Sequence, residues 1–144
     1  MALTDSLLDF STALYDKFVG LKATLSLEDV FKGDQILIPR SPALCVEPAP
    51  KRRDLQGALR RTRNVFETYL IVYHSEIRSP QENLFDAIDL AEQIENYVHL
   101  DKTLGGIVTH CFCTQVIPSY TRKSGVMFRT CGVLVQGTTT TNLP

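Results

Sequence analysis

The most regular apolar and polar pattern in the chain runs from Ser79 to Ile117. It reads as a capped helix, a glycine-marked return and a strand. Ser79 is the expected N-cap, Pro80 takes a first-turn position that needs no N–H donor, and Glu82 completes a capping box. Leu84, Ala87, Ile88, Ala91, Ile94 and Val98 recur at helical spacing, while Glu82, Asp86, Asp89, Gln93 and Asn96 fall on the opposite side. Gly105 and Gly106 let the backbone turn at low steric cost before the strand-like run Ile107–Ile117. One helix face must therefore pack on a sheet to which the following strand belongs.

The same reading extends to both sides. Thr4 to about Val19 predicts a first helix capped by Thr4, with Leu3, Leu7, Phe10, Leu14 and Phe18 as its apolar stripe and Gly20 as its stop. Residues 21–40 are irregular, with a turn at Lys32-Gly33-Asp34 and a short apolar run Ile36–Ile38 cut off by Pro39 and Pro42. Ala43–Glu47 is a short, proline-bounded strand, expected either at an edge or entered from an extended segment. Asn64–His74 is the longest strand and central: Phe66, Leu70 and Val72 share one face, and Val65, Tyr69, Ile71 and Tyr73 the other. Both faces are apolar, so each is expected to be covered in part, and an oligomeric contact would do this. The final strand, Val126–Gln136, should pair with Ile107–Ile117 across the polar loop 118–125. A register centred on that loop sets Cys113 opposite Cys131 and Ile117 opposite Met127. Residues 138–144, TTTTNLP, form an extended C-terminal tail, either free or laid along a partner.

The expected fold is therefore α+β, with a four-stranded, mostly antiparallel sheet and two helices packed on one face. The element order is α-β-β-α-β-β, and a long β-hairpin arm joins the first two strands. Residues 1–137 make one domain, and residues 49–64 protrude from it as a basic arm. That arm carries Lys51, Arg52, Arg53, Arg60, Arg61 and Arg63 against the single acid Asp54, a local charge of +5 within a chain of net charge −1. Residues 76–101 hold seven acids against Arg78, a local charge of −6. A solvated loop, a subunit-contact arm facing an acidic neighbour and a nucleic-acid contact all fit the arm. The last is disfavoured because no aromatic stacking residues are interleaved with the arginines.

A length of 144 residues, 44% hydrophobic and 22% charged, suits one globular domain. No apolar run approaches the roughly 20 residues that span a bilayer. The start, MALTDSLLDF, lacks the basic region of a secretory signal, which points to cytosolic synthesis. There the four cysteines, Cys45, Cys111, Cys113 and Cys131, are expected to be small buried hydrophobes rather than disulfides. A metal site from Cys111, Cys113 and Cys131 stays an alternative, although C-x-C lacks the usual zinc spacing. Catalytic signals are sparse. Gly105-Gly106 precedes a strand rather than a helix, the wrong context for a phosphate loop. His110 and Cys111 point to opposite faces of a strand, which spoils a dyad, and His74 and His99 lie elsewhere. Asp86 and Asp89 belong to an acidic, solvated helix face. The expectation is a non-enzyme with no cofactor and no metal.

The proline-flanked strand PRSPALCVEP and the arginine-bearing segment after it, the strand VFETYLIVYH, the helix opening SPQENLFDAIDLAEQI and the phrase HLDKTLGGIVTHCFCTQV resemble tail-terminator or tail-completion proteins of long-tailed bacteriophages. The similarity is one of element order and texture over nearly the whole chain, fitting least over residues 21–38. It implies a virion protein, assembled in the bacterial host cytoplasm and located at the tail–neck junction. There a six-fold ring caps the tail tube, ends its polymerisation and joins it to the neck. Implied partners are further copies of the chain, the tail tube protein and neck or head-completion proteins, with the tail sheath protein as a further candidate. DNA would be only cargo passing through the ring, and no membrane is involved. Ring contacts are heterologous, so Lys51, Arg52, Arg53, Arg60, Arg61 and Arg63 would meet Glu82, Asp86, Asp89 and Gln93 of the next copy. Another neck or head-completion component, and a basic-loop nucleic-acid-binding module, are the alternatives.

Overall fold

A computed structural model describes residues 3–56, 61–75 and 80–142. Helix α1 spans Leu7–Gly20 and buries Phe10, Leu14 and Phe18 completely. Its cap is Ser6, whose Oγ accepts from the Asp9 N–H at 3.2 Å, and not Thr4 as the spacing predicts. Thr4 is held extended instead: its N–H donates to Ile107 O at 2.8 Å, and its carbonyl accepts from Thr139 Oγ1 at 2.7 Å. The long-range bonds win over the local cap.

Strands β1 (Asp29–Lys32), β2 (Ala43–Pro48), β3 (Arg52–Gln56) and β4 (Arg61–Ser75) follow, then α2 (Pro80–Leu100), β5 (His110–Lys123) and β6 (Val126–Asn142). The molecule is α+β, but its mixed sheet has six strands rather than four, in the order β1-β2-β4-β6-β5, with β3 also on β4. The two additions are β1, four residues parallel to β2, and β3, five residues antiparallel to β4. Both are too short and too charged to show alternation. The observed order is thus α-β-β-β-β-α-β-β. β4 is long enough to pair with β3 through residues 61–65 and with β2 through 68–73 on one side, and with β6 along its whole length on the other. β2 is consequently an interior strand and not an edge, because β1 covers its outer side.

Two further expectations change. Residues 138–142 are not a free tail: they complete β6 and pair with Arg61–Val65. β-branched threonines suit a strand, and Asn64 Nδ2 donates to Thr139 Oγ1 at 3.0 Å and to Thr141 Oγ1 at 2.8 Å. The β5–β6 connection is also far tighter than an eight-residue loop. Ser124 and Gly125, at φ 52° and 81°, form a two-residue turn with the left-handed pair of conformations that suits a twisted hairpin. Register then follows from that turn and from an irregularity between Cys113 and Gln115. Ile117 faces Gly132, Cys131 faces Pro118, Cys113 faces Val135 and Met127 faces Arg122. Pro118 is tolerated inside β5 because the strand is an edge.

Both helices pack on one face of the sheet. From α2, Ala87, Ala91, Ile94 and Val98 meet Phe66, Leu70, Val72, Val133 and Val135. α1 approaches β6 closely at Gly137, and its Phe10 ring stacks on Phe66 with centroids 5.4 Å apart. Among the described residues the other face carries a small cluster at one end, where Ile38 from the 33–42 segment meets Ala43, Cys45, Tyr73 and Phe128. From the expected run Ile36–Ile38, only Ile38 is buried; Ile36 is 90% exposed. Elsewhere on that face neither helix packs, although Val65 and Leu134 are buried there as well.

Candidate interaction surfaces

The β3–β4 hairpin divides the basic residues between two faces, as strand alternation requires. Lys51 and Arg53 turn toward the helical layer. There the Lys51 ammonium donates to Asp5 O and lies 5.5 Å from the Phe66 ring centroid, and Arg53 pairs with Asp5 Oδ2 at 3.4 Å. Burial, and then the neighbouring Arg53, push the Lys51 ammonium below its ordinary value. These two cations are committed within their own chain. Arg52, Arg61 and Arg63 are exposed, and their register places them on the face away from the helices, with Arg63 directly opposite Asp54. Arg60 lies outside the described residues.

On α2, Asp89 and Gln93 are exposed and joined by a Gln93 Nε2 to Asp89 Oδ2 hydrogen bond of 2.9 Å. Asp86 is half-buried, and the side chain of Glu82 lies outside the described residues, as does the expected cap Ser79. Glu92 adds a further exposed acid to the same outward side. Acids and free arginines therefore occupy opposite layers of one molecule, and the fold does not bring them together. Two surface residues escaped the charge-based reading. Phe85 is 60% exposed and Leu100 78% exposed, at the two ends of the outward stripe Phe85, Asp89, Glu92, Asn96 and Leu100. Their spacing of four, three, four and four residues is a helical-wheel signal that could have found them.

Several groups with chemical capability have structural roles. The cysteines are free thiols, and Cys111, Cys113 and Cys131 do share the helix-covered face. Burial pushes Cys111 and Cys131 up to about 11, and Cys45 and Cys113 up to about 12, so all four hold their protons at neutral pH. Among the described residues no three His, Cys, Asp or Glu side chains converge as a metal site would need. His99 Nε2 accepts from the Cys113 N–H at 3.0 Å, tying the end of α2 to β5 beside the irregularity in that strand. Asp101 serves the intervening turn: its carboxylate accepts from the Gly105 N–H at 3.0 Å, while Leu104, Gly105 and Gly106 all adopt positive φ. The phrase LDKTLGG thus builds a tight return between α2 and β5.

On the open face, Tyr69, Ile71, Ile117, Ser119, Thr130 and Gly132 line a pocket of about 160 Å3. Gly132 leaves room at its floor, because a Cβ placed there would have Ile71 and the Ile117 carbonyl no closer than 3.8 Å and 3.9 Å. Among known proteins, no family model matches this sequence and no curated protein matches it significantly.

Proposed function

We propose that this protein is a structural component of a bacteriophage virion: a ring at the tail–neck junction that caps the tail tube and stops its growth. The observation that carries the reading is the separation of charge across the monomer. Arg52, Arg61 and Arg63 lie on one face and the acids of α2 on the other, so the fold itself does not match these two groups, and a second copy could. A surface that meets a different surface of the next copy closes into a ring when the rotation allows. The resemblance of the sequence segments to tail terminators supports the same reading, although the sheet has two strands more than that likeness implies. In this function the β3–β4 hairpin is the contact arm, the residues act by shape and charge, and no bond is made or broken.

The first test is localisation. Gold-labelled protein should sit as a ring where tail meets neck, and phage lacking the protein should carry tails of uncontrolled length. Label elsewhere on the particle, with tails of normal length, would refute the terminator role. The second test replaces Arg52, Arg61 and Arg63 with glutamate. The variant should fold normally but fail to assemble; normal assembly would mean that the arm is merely solvated. The same three exposed arginines favour one second reading, a nucleic-acid-binding module. That reading requires DNA affinity with a steep salt dependence in a filter-binding titration.

A further inference from the structure

Residues 33–42 join the parallel strands β1 and β2 and cross one end of the open sheet face on the way. Both ends of this segment are tied to its own strands. The Gly33 N–H donates to Val46 O at 2.7 Å, Pro42 O accepts from the Glu28 N–H at 2.8 Å, and Arg40 pairs with Asp29 at 3.2 Å. The middle is held differently. Within residues 33–42 only Ile38 is buried, while Ile36 and Leu37 are exposed. Polar contacts fasten this middle to the tip of the β5–β6 hairpin: Lys123 Nζ donates to Asp34 Oδ1 at 2.5 Å, and Ser124 Oγ donates to Ile36 O at 3.3 Å. Beneath lie Ala43, Cys45, Tyr73 and Phe128.

We infer that residues 33–42 form a latched strap over this end of the open face, with Lys123 as the latch. Releasing Lys123 uncovers the apolar end while the rest of the fold stays intact. Charge gives the latch its purpose. Asp34 on the strap and Glu47 on β2 are both acids, and Glu47 is pushed above its ordinary value by burial and then by Asp34, with Lys123 opposing them. The Lys123 side chain is only 11% exposed, and its ammonium also lies 5.3 Å from the Tyr73 ring centroid. It offsets the repulsion between a strap carboxylate and a sheet carboxylate. Without it that repulsion is unopposed, and Ile38 and the Ser124 bond are left to hold the middle against it. A segment with one buried side chain and few hydrogen bonds opens at lower cost than a core does. The sheet underneath keeps its own ladders, because β2 is paired on both sides, by β1 and by β4. The device is thus local.

Cys45 reports the opening, because it lies under the strap whereas Cys111 and Cys131 lie under the helices. Native protein is treated with a thiol reagent at pH 8, and the labelling rate of each cysteine is read by mass spectrometry. Lys123→Met should speed labelling of Cys45 by about tenfold or more and leave Cys111 and Cys131 at their wild-type rates. Electrostatics alone would act the other way. Burial, then Glu47 and Asp34, push the Cys45 thiol up to about 12, and Lys123 draws it down, so removing the lysine leaves still less thiolate. Lys123→Arg keeps the charge and should label like wild type. An unchanged Cys45 rate in Lys123→Met would overturn the latch. Equal acceleration of all three thiols would overturn it as well, since the lysine would then support the whole fold. If Lys123→Arg opened as far as Lys123→Met, charge would not be what holds the strap, and the inference would fall.

Discussion

Gly137 offers a sharp test of how α1 is seated. A Cβ built on it would stand 2.5 Å from Phe10 Cε1, 2.9 Å from Cζ and 3.2 Å from Cδ1. Ordinary carbon contacts begin near 3.5 Å, so Gly137→Ala forces the ring back by about 1 Å. Phe10 cannot yield cheaply, because it is fully buried and stacked on Phe66. Overpacking of this kind costs about 1–3 kcal/mol. The loss of unfolded-chain freedom returns about 0.4–1 kcal/mol, leaving a net destabilisation of about 1–2 kcal/mol. For a domain of this size the melting temperature should fall by about 3–8 °C. Gly132→Ala, on the same strand, is the internal control: its nearest neighbours stand at 3.8 Å and 3.9 Å, so it should be neutral or slightly stabilising. Adding Phe10→Leu to Gly137→Ala should recover about 1 kcal/mol relative to the sum of the single changes. Scanning calorimetry or thermal circular dichroism reads wild type, the three single variants (Gly137→Ala, Gly132→Ala and Phe10→Leu) and the double variant. Equal melting of Gly137→Ala and Gly132→Ala would refute the proposed close approach of α1 to β6.

Three other outcomes follow from buried groups. Asn64→Ala removes both donations to Thr139 and Thr141, so stability should drop by about 1–3 kcal/mol. Hydrogen exchange should speed up first across residues 138–142, and unchanged protection there would count against the role of Asn64. Glu47 is pushed above its ordinary value by burial first and then by Asp34, with Lys123 acting in the opposite sense. Its carboxylate therefore opposes folding once ionised: stability from the protonated form is complete below the unfolded value and is lost as pH rises through the raised one. Glu47→Gln should melt higher than wild type at pH 7 and alike near pH 3; a lower melting temperature at pH 7 would contradict this. Finally, native protein at pH 8 should react slowly with a thiol reagent, whereas unfolded protein should titrate four thiols promptly. Prompt native labelling of Cys111 or Cys131 would show that the helix-packed face opens, and of Cys45 that the small cluster around it does.

Much of the fold was legible in local pattern. The apolar stripes of α1 and α2 and the two-faced β4 carry strong periodic signals, because each element buries whole rows of side chains at 3.6- or 2-residue spacing. The proline at the start of α2 and the return at Gly105-Gly106 are likewise local chemistry. β1 and β3 were illegible for the converse reason: DVFK and RRDLQ are too short to set a period, and they are strands because a neighbour offers its edge. For the candidate surfaces, charge clustering pointed to the arm and to α2. It could not reveal that Lys51 and Arg53 are held by Asp5, since that contact joins residues more than forty positions apart.

The amino-acid sequence alone determined the α+β class, the two amphipathic helices, the long central strand and the opposed charge of arm and helix. Each rests on spacing or composition within a single segment. Only the tertiary structure decided strand order, the inclusion of residues 138–142 in β6, the β5–β6 register and the helix-free face with its pocket at Gly132. Those depend on which distant backbone groups pair and which face the helices cover. A slip of one residue would reverse every side chain on a strand, so no single segment carries that information by itself.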